Sequence, residues 1–354
     1  MSKVSFNNQN KTFFNSINAR VENYFRERNL KKTGDKKLYL KSSILITGAI
    51  AMYVVLLTSS MNPVFAALLC CAFGFVQACI GFNVMHDANH GSYSRKKWVN
   101  YTMGLSANLL GANSWLWKQQ HNIIHHTYTN IEGVDDDIHQ APLLRMCPYQ
   151  KQLKMHRYQY LYCLPLYGLS SLARVFLTDF SKYFSGKIQM MQLRGMQTRE
   201  HFIFWISKAV YLFLYLALPI YIVGFFPALI GFLLMHITLG LTLSSVFQLA
   251  HAVEDTHFAD AHQNSLKIEE EWAIHQVLTT ADFATNNKFI LWFTGGLNFQ
   301  VEHHLFPKIS HVHYPVIHKF VEEACRKYSI PLNNYPSMTA ALLSHLRFVK
   351  QLGR

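Results

Sequence analysis

The sequence predicts an all-α integral membrane protein, with four transmembrane helices in two hairpins and a helical cap on the cytoplasmic side. Three observations carry that reading. Half of the 354 residues are hydrophobic and only 15% are charged, against about 25% charged in soluble domains. Four stretches approach or reach the roughly 20 apolar residues that a helix needs to cross the hydrocarbon layer. Lys and Arg, 33 against 20 Asp and Glu, crowd one side of those stretches and are absent from the short turns on the other.

The elements follow in chain order. Residues 1–41 form an N-terminal cytoplasmic segment, and its "MSKVSFNNQNKTFF" lacks the apolar core of a signal peptide. The first span covers about 42–60, directly after Lys41. A three-residue turn, Met61–Pro63, leads into the second span at about 64–85. The long 86–205 segment holds two weaker apolar stretches, Leu105–Trp117 and Tyr158–Ala173. Both are interrupted by polar residues and rich in Trp or Tyr, which marks them as interfacial or cap helices. The third span, about 206–223, carries Lys208 near its start, where it can snorkel, and Pro219, which predicts a kink. After Gly224–Phe226 the fourth span, about 227–250, opens with Pro227 in its first turn. Residues 331–354 are read as a cytoplasmic tail beyond a domain covering 42–330.

The positive-inside rule places both termini and the 86–205 segment in the cytoplasm. The formal net charge of +13 suits a protein facing anionic lipid or phosphate-bearing substrates. It does not indicate nucleic-acid binding, because the basic residues flank apolar segments and form no single basic domain. The six cysteines include no CxxC pair and read as packing residues of a reducing compartment.

The 19 histidines are not scattered. "HDANH" gives His86 and His90, "HNIIHH" gives His121, His125 and His126, and "QVEHH" gives Gln300, His303 and His304. Spacing of i, i+4 puts His86 with His90, and His121 with His125, on one helical face, where two imidazoles can converge on an ion. Depth supports convergence. A helix entering at Val64 rises about 33 Å by His86, and one entering at Pro227 rises about 36 Å by His251. Both histidines emerge at the same boundary, which makes His251 a further ligand candidate. A lone HxxxH pair is often an ordinary solvated pair, but three such boxes on one side of a membrane point to metal. Imidazole suits iron, zinc and copper. Eight imidazoles are too many for one ion, since zinc takes four ligands, so two metals are expected.

These boxes, with "HTYTNIEGVDDDI" after the second and "GLNFQVEHHLFPKISHVHYP" around the third, resemble the membrane fatty acid desaturase family over about residues 40 to 330. The glutamine heading the third box is similar to the front-end branch, which inserts a double bond between an existing one and the carboxyl end. The sequence has no haem-binding "HPGG" of a fused cytochrome b5 domain and is similar in that respect to stand-alone bacterial acyl desaturases. The resemblance implies metal ligands at His86, His90, His121, His125, His126, His303 and His304, with His251 matching the histidine after the last span. It departs from the family at Phe247, beside Gln248, where an asparagine is expected, and at Gln300. His275, in "WAIHQVLTTADF", is family-like as a ligand or a supporting residue.

The resemblance implies an O₂-dependent di-iron acyl desaturase acting on an acyl-CoA or acyl-lipid. An alkyl C–H bond has neither an acidic proton nor a leaving group, so only a metal–oxygen oxidant breaks it, and the protein supplies geometry and a dry channel. Gln300 is expected as a weak oxygen ligand or water anchor. Asp87, Asp135, Asp136, Asp137, Glu254 and Glu302 are expected to orient ligand rings, the alternative for the Asp run being a solvated loop. Trp115, Trp117 and Trp292 either line an acyl tunnel or anchor at the interface. His236, in mid-span, is either functional or hydrogen-bonded to a neighbouring helix. No flavin, nicotinamide or haem signal is present, so a ferredoxin or cytochrome b5 with its reductase is the implied electron donor. Arg95, Lys96 and Lys97 could dock it or be ordinary positive-inside charge. The rival readings are a di-iron hydroxylase, a sphingolipid or carotenoid oxygenase, and a metal transporter. A transporter would place its histidines inside the spans.

Overall fold

The computed structural model describes residues 4–9, 11–262 and 266–354, and it is mostly helical. Among the described residues the strands are two-residue pairs that staple segments together. Local sequence sets the helix starts. The Asp35 carboxylate accepts from Leu38 N at 2.9 Å, and the Asn62 side chain accepts from Val64 N at 2.9 Å with Pro63 in the first turn. Such caps satisfy amide groups that have no partner in the helix.

Five helices are long and apolar enough to cross a membrane: Lys36–Thr58, Pro63–His90, Lys154–Ser185, Thr198–Val223 and Phe225–His251. That is one more than the four expected. The additional one contains the 158–173 stretch, whose tyrosines and internal Pro165 break the apolar pattern in sequence without breaking the helix. Thr198–Val223 begins earlier than expected, because Arg199, Glu200 and His201 occupy its first turn. The kink expected at Pro219 is preceded by a π-helical turn, Phe213–Ala217. Proline has no N–H to complete the helical ladder.

Phe225–His251 is the hub. Two helices press against it at glycines, as small residues allow in membrane bundles. A Cβ on Gly74 would stand 2.3 Å from Met235 O, and one on Gly240 would stand 2.7 Å from Gly168 O. Pro63–His90 and Lys154–Ser185 therefore touch the hub at near-backbone distance, which fixes where each enters the cap.

The chain ends are part of the cap. Ser5–Phe6 pairs in parallel with Lys267–Ile268. Thr12–Glu27 packs Phe13, Ile17 and Val21 into one apolar cluster with Ile317 and Val321 of Tyr314–Tyr328. The 331–354 segment, set apart as a tail in sequence, contains Met338–Leu352, which buries Ala341, Phe348 and Val349. Its His345 lies 2.9 Å from Tyr167 OH and 2.6 Å from Ala252 O. All six cysteines are free, and five are buried.

Replacing Gly74 by Val should remove most folded, monodisperse protein in detergent, because the clash is with backbone and exceeds the roughly 1–3 kcal/mol of ordinary overpacking. Gly48→Ala, where a Cβ meets nothing within 4 Å, should leave thermal unfolding unchanged or slightly raised. Fluorescence-detected gel filtration after a heating series measures both.

Candidate metal centre

Two of the three histidine boxes are set by π-helical turns. In Pro63–His90 a π-helical turn spans Gly81–Met85, immediately before His86. The second box lies in a π-helical turn, Gln119–His125, and His126 N bonds His121 O at 3.1 Å. An α-helical i, i+4 face would carry only His121 and His125. The i→i+5 turn, of a kind frequent at functional sites, brings His126 over His121 as well. The third box is the short helix Gln300–Leu305, which is buried throughout. His251 ends the hub helix.

These elements bring the eight imidazoles together. His86, His90, His121 and His303 form one group, and His125, His251 and His304 another. In each group the ligand atoms lie within 4.8 Å of one another. His121 Nε2 is 3.2 Å from both His86 Nε2 and His126 Nε2. Two nitrogens about 2.1 Å from one ion stand about 3 Å apart at right angles, so these separations suit ligands of a shared ion. His86 Nδ1, His90 Nε2, His125 Nε2, His126 Nδ1, His251 Nδ1 and His303 Nε2 are buried with no hydrogen-bond partner. Each such atom costs about 1–3 kcal/mol if left so. Burial, and then the neighbouring imidazoles, hold His121, His126, His303 and His304 well below the ordinary histidine range. They are neutral and keep a lone pair, as coordination requires.

The cluster opens onto a cavity of about 240 Å³. Met85, His86, Trp117, His121, Phe247 and Gln300 line it near the imidazoles, and it extends to Leu239 and Ser171 in the bundle. The Trp117 ring stacks on His121 at 4.4 Å. Buried imidazole groups that suit metal thus stand beside a mainly apolar slot, whose lining also includes Asp137 and Arg174.

The fatty acid desaturase family model matches residues 62–336. The chain belongs to that family. An sn-1 linoleoyl-lipid 6-desaturase of Arthrospira platensis is 36% identical over 360 residues, covering 99% of this chain and 95% of that relative. An acyl-lipid (8-3)-desaturase of Physcomitrium patens is 35% identical, covering 98% of this chain and 72% of the relative. An sn-1 linoleoyl-lipid 6-desaturase of Synechocystis sp. is 34% identical, covering 98% and 97%. The chain is an oxidoreductase that desaturates acyl chains.

The residues behind the imidazoles explain how the desaturase aims them. Asp135 is 3.0 Å from His125 Nδ1 and also accepts from Asn130 N at 2.9 Å. Burial opposes charge on His125, but Asp135 and Asp137 outweigh it and raise its pKa. Gln276 Oε1 lies 2.7 Å from His304 Nδ1, and Tyr314 OH lies 3.2 Å from His303 Nδ1. Each contact fixes one ring nitrogen and frees the other. Neither Gln276 nor Tyr314 was marked in sequence. The signals were Gln276's place next to His275 and the "HYP" that contains Tyr314.

The three aspartates after the second box have different partners. Asp135 holds His125. Asp137 accepts from Gln120 and lies 3.4 Å from His125 Nδ1. Asp136 turns away to Lys182 and Gln189. Asp87 accepts from Ser310 Oγ at 2.7 Å and pairs with His311 at 3.0 Å, which ties the first box to the chain after the third. Gln300 Nε2 is 2.9 Å from His251 Nε2 and 3.4 Å from His304 Nε2. Phe247, at the expected asparagine position, packs its ring on His125 at 5.2 Å and His251 at 4.8 Å. Gln248 lines the cavity with its Oε1 buried and unpartnered.

Several sequence expectations do not fit the geometry. Glu254 lies on the exterior, 2.8 Å from Arg347. Glu302 points away from the imidazoles to His318, at 3.1 Å. Neighbouring residues on a helix point about 100° apart, which turns the Glu302 side chain away from that of His303. Burial and Asp282 push Glu302 up to about 8, while the two carboxylates outweigh burial and push His318 up to about 11. His275 Nε2 bonds Thr129 O at 2.9 Å, outside the imidazole cluster. Among the three tryptophans only Trp117 lines the cavity. Trp115 does not, and Trp292 is 42% exposed beside Lys41. His236 takes the bland alternative, with Ser171 Oγ at 2.8 Å and Tyr211 OH at 2.7 Å on its two nitrogens. Arg95, Lys96 and Lys97 are exposed.

Asp135→Asn should weaken metal binding about 10- to 100-fold while leaving the helical content unchanged. Competition with a metal-sensitive chelator dye, read beside circular dichroism, measures it. Equal affinity in the variant would show that Asp135 does not aim His125.

Proposed function

We propose that this desaturase uses two irons to insert a front-end double bond into an acyl-lipid. The observation that carries the reading is the meeting of two imidazole groups beside an apolar slot. His86, His90, His121, His126 and His303 would hold one iron, and His125, His251 and His304 the other. The buried, unpartnered nitrogens support that set. When bound, the irons supply the chemistry that reduces O₂ and removes hydrogen from unactivated carbon. In balance, the acyl chain loses two hydrogens, and O₂ becomes two waters with two electrons and two protons from outside.

The chain's own residues do the rest. Trp117, Phe247 and Leu243 wall the slot, which excludes water and holds the acyl chain against the imidazoles. Asp135, Gln276 and Tyr314 fix the ring orientations. Gln300 stands between His251 and His304. With its amide oxygen turned to the centre it is a neutral, weak ligand that leaves one iron more open than a third imidazole would.

The acyl-lipid and front-end assignments are supported by the acyl-lipid activities named for the relatives and by Gln300. A ferredoxin or cytochrome b5 type donor meets the need for two electrons, since the histidine centre contains no other redox group. Four membrane crossings with both termini and the metal centre on the cytoplasmic side are supported by charge and contact. The turns at 61–63 and 224–226 carry no Lys or Arg. The N-terminal helix packs on Tyr314–Tyr328, so the two ends share a side and the crossings are even in number. Both ends of Lys154–Ser185 are tied to one cap segment: His156 to Pro142 O at 2.8 Å and Lys182 to Asp136. A crossing helix would have its ends on opposite sides, so these ties argue against counting it as a crossing.

Expression in a host without polyunsaturated lipids, fed linoleate, should yield a new double bond on the carboxyl side of the existing ones by gas chromatography–mass spectrometry. His303→Ala should abolish it. Hydroxylated products alone would contradict desaturation. Gln300→His should retain iron and change rate or double-bond position; loss of iron would give Gln300 a structural role instead.

A further inference from the structure

A second apolar space lies outside the metal cavity. It is an open groove of about 990 Å³ between Lys36–Thr58, Pro63–His90, Thr198–Val223 and the cap residues 102–110. Ile50, Val84, Leu105, Ile206 and Val210 are among its walls. Ile50, Ile206 and Val210 are 58%, 59% and 41% exposed, so the groove faces the surroundings of the membrane helices.

Three features select its occupant. Leu110 lines both the groove and the metal cavity, so the two spaces lie back to back across one side chain. Val84 faces the groove two residues before His86 faces the cavity. Arg199, exposed in the first turn of Thr198–Val223, stands in the groove wall with its guanidinium 4.5 Å over the Tyr101 ring. From Arg199 the groove follows its helix to Leu214, 15 residues or about 22 Å, the reach of a long-chain acyl group. A cation at the head of a chain-length apolar furrow matches the ester and phosphate oxygens of a glycerolipid above its hydrocarbon.

We propose that this groove holds the second acyl chain of a two-chain glycerolipid whose first chain enters the metal cavity. The inference rests on the desaturase reading and deepens it. A glycerolipid with one chain in the cavity must put its other chain somewhere close by. The groove, one side chain away across Leu110, provides that place, with the glycerol end at Arg199. An acyl-CoA has no second chain and gains nothing from the groove.

The test uses Ile206→Trp, which fills the groove from a half-exposed position remote from the imidazoles. The purified protein, wild type and variant, is given a reducing system and two substrates. One is a linoleoyl diacyl glycerolipid and the other its one-chain lyso analogue with the same headgroup. The variant should raise KM for the diacyl lipid about tenfold, the loss expected when roughly two methylenes leave contact. KM for the lyso lipid should not change, and that unchanged value shows that the variant is folded. A wild type that gains nothing from the second chain would overturn the proposal. So would a variant that shifts both substrates alike, or neither. Native mass spectrometry of the same proteins counts retained diacyl lipid and separates the groove from the chemistry. If the wild type makes no double bond with either substrate, the desaturase reading fails. If it is active but the variant retains the lipid and its KM, the groove proposal alone fails.

Discussion

Eight imidazoles crowd into one largely buried cluster, seven of them pushed toward the neutral form by burial, and His121 stands 3.2 Å from both His86 of the first box and His126 of its own. Neutral rings at this spacing cannot satisfy one another, because each offers one donor and one acceptor and several nitrogens face the same point. A shared cation resolves the conflict, and much of the fold serves to keep the conflict in place. The glycine contacts at Gly74 and Gly240 set the helix positions. The π-helical turns rotate the boxes inward. Asp135, Gln276 and Tyr314 lock the outward nitrogens.

The same constraint explains the asymmetry of the centre. One group draws on the first, second and third boxes. The other includes His251 and is completed by Gln300 where a further imidazole would fit. An amide there lowers the donor strength of one half. Phe247 then packs an apolar ring against the His125 and His251 rings and narrows the approach to that half. The two irons of the proposal would therefore have unlike surroundings.

Much of this was legible in the sequence. Long apolar runs and histidine spacing depend on local periodicity, and both are plain in a single chain. The box histidines were found by their spacing, and His251 because, like His86, it lies a helix length from a turn. What was not legible depends on contacts between distant segments. Asp135, Asp136 and Asp137 are adjacent in sequence but point to His125, Lys182 and Gln120. Gln276 meets His304 only because its helix packs against the third box. Glu302 looked like a ligand brace by adjacency, yet helical phase turns it to His318. Lys154–Ser185 was obscured by its tyrosines and Pro165, and its role depends on contacts at both ends.

The central claim is that one chain binds two irons through nitrogen. X-ray absorption and Mössbauer spectroscopy of the purified protein, loaded with ⁵⁷Fe, test it most directly. The account predicts two irons per chain in two inequivalent sites, each with mainly nitrogen neighbours near 2.1 Å, a length usual for imidazole on such metals. One iron per chain, two equivalent sites, or coordination dominated by oxygen or sulfur would contradict it.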